Sequence, residues 1–308
     1  MVSLVATGLL IGIAMGWVLQ RGRYCMNSAF RDVIFMNDYI LFKAYILALV
    51  VAIIGANALQ QSGQVEQLRI QAFSPIANIA GGYIFGLGIV LAGGCGSGIW
   101  YKTGEGQFNA FVTIMGFFIG ILSTKSGLLA PVYKFLRSFT IWQTPDGLRA
   151  LTDKQVMDLW DKGVDVIAPT LYSVIGVNKW IVIAVLALIA IPFLIRGGIL
   201  KPKKGYSWPL AGVLIGVIII AAWWVSEKWG GGARGISYTG PTGELFKSIL
   251  TGVKPTWGAM LVLGTPIGAF LSAKGLKEFK LNSPNAQELL RVFVGGLIMG
   301  FGATVGGG

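Results

Sequence analysis

Histidine is absent from this 308-residue chain, and cysteine occurs only twice, at Cys25 and Cys95. The first absence leaves no obvious catalytic base. The second argues against a disulfide framework, because the two thiols have unlike neighbours. Charge is scarce as well: charged residues make up 12% of the chain against 54% apolar, and the mean hydropathy is +0.70. A soluble domain of this length could not bury so much hydrocarbon, so the chain reads as an all-α polytopic membrane protein. Acidic residues are the rarer sign, 13 against 25 Lys and Arg. The basic excess is scattered among loops, which excludes a nucleic-acid surface and leaves orientation signals, an anionic substrate, or both. No basic segment precedes the first apolar run, since Arg21 and Arg23 follow it. That order argues against a cleaved leader and for a retained first helix with its N-terminus outside.

What is present is apolar sequence in lengths that cross a bilayer, about 20 residues each. Eight spans are predicted, near 3–20, 39–59, 76–92, 106–123, 179–196, 208–226, 254–273 and 291–305. Positive charge clusters at Arg21, Arg23, Arg31 and Lys43, at Arg196, Lys201, Lys203 and Lys204, and at Lys274, Lys277, Lys280 and Arg291. Eight spans put all three clusters in the cytoplasm, and Lys125, Lys134 and Arg137 outside, against the usual bias. Trp17, Trp100, Trp208, Trp223, Trp224 and Trp229 lie near span ends, as an aromatic belt would. Residues 139–178 form the one long polar insert, and Thr152-Asp153-Lys154-Gln155 opens a capped amphipathic helix there.

Glycine is abundant, with 45 residues, and part of it repeats. Residues 81–94 read GGYIFGLGIVLAGG and residues 295–308 read GGLIMGFGATVGGG, sharing both flanking Gly-Gly pairs. Gly8-Leu-Leu-Ile-Gly12 likewise matches Gly212-Val-Leu-Ile-Gly216. With the charge topology above, the matching spans run in opposite directions. Two inverted repeats are therefore expected, 1–138 and 179–308, separated by the 139–178 insert, with a site between them near the midplane. The second copy reaches Gly308 one residue short of where it would place a cysteine.

Both thiols stand where a helix should end. Cys25 lies in Arg21-Gly-Arg-Tyr-Cys25-Met-Asn-Ser28, and Cys95 in Gly93-Gly94-Cys95-Gly96-Ser97-Gly98. Irregular backbone at membrane depth has to be buried in protein or line a watery cavity. The glycines allow a re-entrant turn over Gly93–Gly98 whose N–H groups could cradle an anion. A thiol at its apex adds a weak donor and a soft sulfur. The plainer alternative is that each cysteine is a small buried apolar side chain. Asn27 and Ser28 read as caps of the following helix, Arg21 and Arg23 as topology charges that could also attract anions. Glu105 and Glu244, near turns, are weaker candidates as proton relays. Gly230-Gly231-Gly232-Ala233-Arg234 matches the Cys25 loop but has no thiol.

The pair of motifs Arg21-Gly-Arg-Tyr-Cys25 and Gly93-Gly-Cys95-Gly-Ser-Gly98 resembles the YeeE/YedE family of bacterial inner-membrane transporters of sulfur compounds. The resemblance implies a multi-pass protein of the bacterial inner membrane that takes up thiosulfate, or a related sulfur anion, through a narrow central path. It implies that cysteine S–H groups in short central loops hold the ion by transient hydrogen bonds. Cys25, Cys95, Gly93, Gly94, Gly96, Ser97, Gly307 and Gly308 are the residues it assigns to the substrate path. The third family cysteine would follow Gly308. No enzyme activity, catalytic residue, cofactor or metal is expected. Two alternatives stay open: a persulfide relay handing sulfur to a small cytoplasmic sulfurtransferase, and a selenium-compound transporter. A nonselective water or ion channel is a third class, distinguished by conduction without a sulfur substrate.

Overall fold

Every one of the eight apolar runs forms a helix. The structure, a computed structural model, describes residues 2–145, 147–196, 205–282 and 284–307. Seven helical segments are long and apolar enough to cross a membrane, and the eighth run gives a shorter helix at Lys179–Ile195. In chain order the elements are α1 (Val2–Gly22), α2 (Met26–Arg31), a π-helical turn (Asp32–Met36), α3 (Ile40–Gln61), α4 (Pro75–Ala92), α5 (Gly96–Gly104) and α6 (Phe108–Lys125). There follow α7 (Ala130–Arg137), a hairpin of β1 (Ile141–Thr144) and β2 (Gly147–Ala150), α8 (Asp153–Asp161), α9 (Leu171–Ile175) and α10 (Lys179–Ile195). The chain continues through α11 (Trp208–Trp229), α12 (Thr239–Thr251), α13 (Trp257–Gly275) and α14 (Ala286–Val305). This is an all-α polytopic membrane protein; the hairpin is its only sheet among the described residues.

The glycine runs are packing seams. At Gly12 of α1 an added Cβ would lie 2.1 Å from the Leu261 carbonyl oxygen of α13, and at Gly88 of α4 it would lie 2.5 Å from the Met299 nitrogen of α14. Only glycine lets the backbones approach so closely, and in lipid such van der Waals seams replace the hydrophobic force. The seams have an order. α1 lies along α13 with Gly8, Gly12 and Gly16 facing Trp257, Leu261 and Thr265, so the two run parallel. α11 lies along α3 with Gly212 and Gly216 facing Ala44 and Ala48, again parallel. α4 and α14 meet antiparallel, Gly81 against Gly302 and Gly295 against Ala92. Exchanging α1 with α11, α3 with α13 and α4 with α14 maps these three seams onto one another; the further seam of α14 along α6, where Gly296 faces Thr113 and Gly300 faces Phe117, has no counterpart on α4 among the described residues.

The polar insert carries a helix where one was expected: the backbone N–H of Thr152 donates to Gln155 Oε1 at 2.9 Å at the start of α8. The insert is also tied to the α3–α4 loop by a bridge between Phe73 and Ile141. The aromatic belt holds in part. Trp229 is exposed, but Trp100 and Trp208 are buried, Trp100 donating its indole N–H to Thr242 Oγ1 at 3.1 Å. Of the positive clusters, Lys201, Lys203 and Lys204 lie outside the described residues.

Candidate functional site

The two cysteines reach the same point by the same local construction. α1 ends with Arg23 in the left-handed region, φ +47, while Arg23 N–H donates to the Gln20 carbonyl at 3.1 Å and Tyr24 N–H to the Leu19 carbonyl at 2.9 Å. This is a Schellman ending, which satisfies the last carbonyls of a helix. One residue later Cys25 is extended (φ −142, ψ 128), and its carbonyl accepts the first bond of α2, from Ala29 N–H at 2.9 Å. At the other motif α4 ends with Gly93 at φ +68, and Cys95, again two residues on, is extended (φ −85, ψ 177) and accepts from Ile99 N–H at 2.9 Å to start α5. Lys102 of α5 turns back to donate its ammonium to the Gly93 carbonyl at 2.7 Å.

Each cysteine is thus the N-cap of a short helix. The structure differs here from the expected turn over Gly93–Gly98: Gly93, Gly94 and Cys95 break the helix, but Gly96, Ser97 and Gly98 already belong to α5. Glycines are tolerated in a first turn because its N–H groups have no intrahelical acceptor to lose. Asn27 and Ser28 likewise lie inside α2 rather than capping it.

The thiols meet. Cys25 Sγ and Cys95 Sγ are 3.6 Å apart, a hydrogen-bonding distance for sulfur, with 0% and 3% of the residues exposed. Cys95 Sγ also lies 3.5 Å from Ser97 Oγ. Gly98 makes room for them, since a Cβ there would sit 2.7 Å from Cys25 Sγ. A cavity of 290 Å³ reaches Cys95, Gly96 and Ser97 between Leu19, Tyr24, Tyr45 and Tyr238. Its wall is largely apolar, with Met15, Leu49, Phe85, Ile215 and Ile219 among the lining residues.

Gly307 is elsewhere. It repeats the positive φ of its counterpart Gly93, at +93, but lines a separate cavity of 300 Å³ with Arg69, Gln71, Lys125, Arg137 and Thr304. Gly308 lies outside the described residues. That cavity holds three cations and no carboxylate among its described lining residues. A neighbouring cavity of 230 Å³ shares Arg69, Gln71 and Lys125 with it and adds Arg234, Glu244, Trp257 and Ile236. Ile236 is common to this cavity and to the one that reaches Cys95. The indole N–H of Trp257 is buried there without a partner.

At the opposite end of α1 and α13 lies a polar network. Gln20 is 1% exposed, accepts from Ser272 Oγ at 2.5 Å and donates to Glu278 Oε2 at 3.1 Å. Arg21 Nε donates to Ser272 Oγ at 3.1 Å, and Arg23 pairs with Glu278 Oε1 at 2.9 Å. Glu105, between α5 and α6, accepts from Gln107 Nε2 at 3.0 Å, and its backbone carbonyl accepts from Lys280 N–H at 3.2 Å. Burial pushes its carboxyl above the usual range, opposed by Gln20, Arg23 and Lys102. Gln20, Ser272 and Glu278 escaped the sequence reading. A glutamine at the end of an apolar run was the available signal for the first, but nothing local ties it to residues over 250 positions away.

Residues 21–308 match the family described as Sulphur transport. Two relatives named thiosulfate transporter TsuA match over nearly the whole chain. That of Spirochaeta thermophila is 34% identical over 99% of this chain and 88% of its own length. That of Escherichia coli is 32% identical over 100% of this chain and 86% of its own. A probable transporter YedE of Escherichia coli is 38% identical over 36% of this chain and 27% of its own length. With the family model matched over residues 21–308 and two relatives more than 30% identical over nearly the whole chain, this multi-pass membrane protein belongs to the sulphur transport family.

Proposed function

We propose that this chain carries thiosulfate across the bacterial inner membrane, passing it between the Cys25 and Cys95 thiols. The observation that carries the proposal is their meeting at 3.6 Å, buried, at the starts of α2 and α5. The orphan N–H groups of a helix start favour negative charge. A thiol is a weak donor, so it offers the ion a contact without a trap. Conduction needs a site favourable enough to enter and weak enough to leave. The cations Arg69, Lys125 and Arg137 around the cavity at Gly307 supply the attraction that the thiols lack. The exchange pattern of the helix seams supports two inverted halves, with the 139–178 insert between them.

Uptake of labelled thiosulfate by cells lacking their own uptake tests this. Cys95→Ala should abolish uptake with normal membrane insertion, and Cys25→Ala should reduce it. Cys95→Ser keeps a donor of similar size and loses the soft sulfur, so its failure would assign the role to softness. Wild-type uptake by all three variants would sink the proposal. A DTT-releasable label on Cys95 would favour the persulfide relay instead, and uptake of selenium compounds in preference to thiosulfate would change the substrate.

A further inference from the structure

Arg23 occupies a position that suits another residue. The left-handed residue that ends a helix is usually glycine, as Gly93 is at the end of α4, because a Cβ is strained there. Arginine at φ +47 works against stability, and its ion pair does little to offset this, since its side chain is 60% exposed. Strain kept in such a place is a reason to look for function.

Its partner is held with unusual care. Both oxygens of Glu278 are engaged, one by Arg23 and one by Gln20, and Gln20 is itself fixed by Ser272, which Arg21 holds in turn. The buried relay therefore presents a carboxylate to the guanidinium two residues before Cys25. Lys280 from the α13–α14 connection, Lys102 from α5 and Glu105 from the α5–α6 connection complete the surroundings. A guanidinium matches carboxylates and oxyanions of sulfur or phosphorus by the same bidentate geometry.

We infer that Arg23 is an anion-binding station beside the thiols, with Glu278 standing in for the ion when the station is empty. An oxyanion leaving Cys25 and Cys95 displaces the carboxylate from Arg23, and return of Glu278 closes the way behind it. The inference rests on the transport reading above and adds to it a residue that selects for oxyanions on the side away from the Arg69–Lys125 cavity.

Binding of labelled thiosulfate to the purified full chain in detergent separates this from a structural salt bridge. Arg23→Gly relieves the backbone strain, so the variant folds at least as well, yet binding should weaken at least tenfold. Glu278→Gln keeps an acceptor for Gln20 but removes the competing charge, so binding should tighten several-fold. A structural pair predicts losses in both variants, and that outcome, or unchanged binding in Arg23→Gly, overturns the inference. Should Glu278→Gln fail to fold, the wild type answers alone: thiosulfate should slow phenylglyoxal modification of Arg23, read by mass spectrometry, but not that of Arg291, equally exposed at 60%. Equal slowing at both, or at neither, overturns it. Wild-type protein that binds no thiosulfate refutes the transport reading itself, whereas normal wild-type binding with unaltered variants refutes only the role of Arg23.

Discussion

A single methyl group should separate the thiols. In Gly98→Ala the new Cβ would lie 2.7 Å from Cys25 Sγ and 3.3 Å from Cys95 Sγ. Ordinary contact lies near 3.5 Å, so the sulfurs must give way by up to about 1 Å. Overpacking of this kind costs about 1–3 kcal/mol. Against it stands the helix preference of alanine over glycine, up to about 1 kcal/mol, because Gly98 belongs to the first turn of α5. The net destabilisation is then between about 0 and 3 kcal/mol, small enough against a stability of about 5–15 kcal/mol to leave a folded, inserted protein. Function should suffer far more, since a 1 Å misplacement costs on the order of 100-fold where an arrangement depends on placement.

The assay is uptake of labelled thiosulfate beside a thermal unfolding curve in detergent. Gly86→Ala in α4 is the internal control: its Cβ would meet nothing within 4 Å, so it adds the same methyl to a helix without touching the thiols. Near-normal uptake is expected from Gly86→Ala and a loss of at least tenfold from Gly98→Ala. A well-folded Gly98→Ala protein with wild-type uptake would refute the claim that the thiol pair is the working arrangement.

Oxidation of the wild type with copper phenanthroline should link Cys25 to Cys95, which lie 3.6 Å apart. The oxidant takes two electrons and two protons from the thiols; uptake should stop and DTT restore it, and intact thiols by mass after treatment would count against the geometry. Lys125→Glu places a carboxylate in the cavity at Gly307, so uptake at low thiosulfate should fall several-fold. The deficit relative to wild type should shrink in high salt, where the Debye length drops from about 10 Å at 0.1 M to about 3 Å at 1 M; a deficit independent of salt would mean another cause. Glu105 has its carboxyl raised, chiefly by burial. Its protonated form is the one the folded state prefers, so stability should be greatest below the unfolded value of about 4.3 and fall as pH rises through the folded value. Glu105→Gln should flatten that part of the unfolding-temperature profile, and an unchanged slope would contradict it.

The spans were legible because bilayer crossing writes itself into composition: uninterrupted apolar runs bounded by Arg, Lys or Gly. So were the two breaks, since Arg-Gly-Arg and Gly-Gly-Cys-Gly interrupt such runs. The helix that restarts at Gly96 was hidden, because four glycines among residues 93–98 depress helix propensity on paper while a first turn has few bonds to lose. Contact between Cys25 and Cys95, 70 residues apart, is a product of tertiary packing and has no local signature. Arg23 shows the limit best. Sequence alone offers Arg21 and Arg23 the same two roles, topology and attraction of anions; only its left-handed backbone and its bond to Glu278 single out Arg23.

The placement of charge along α13 adds a last step. Trp257, at its start, lines the cavity that holds Arg69, Lys125 and the Arg234–Glu244 pair, separated by 3.7 Å. Glu278, just past its end, holds Arg23. Nineteen residues of helix lie between, about 28 Å at 1.5 Å per residue, which is close to the thickness of the hydrocarbon layer. On the proposed path, an anion would meet at each end an arginine already paired with a glutamate, Arg234 with Glu244 and Arg23 with Glu278, so the guanidinium would attract it without binding it irreversibly. A buried arginine beside the thiols would reverse this, because a desolvated guanidinium holds an oxyanion far more tightly than a thiol does. Replacing Ser97, 3.5 Å from Cys95 Sγ, with arginine would create that trap, and the variant should bind thiosulfate yet fail to pass it.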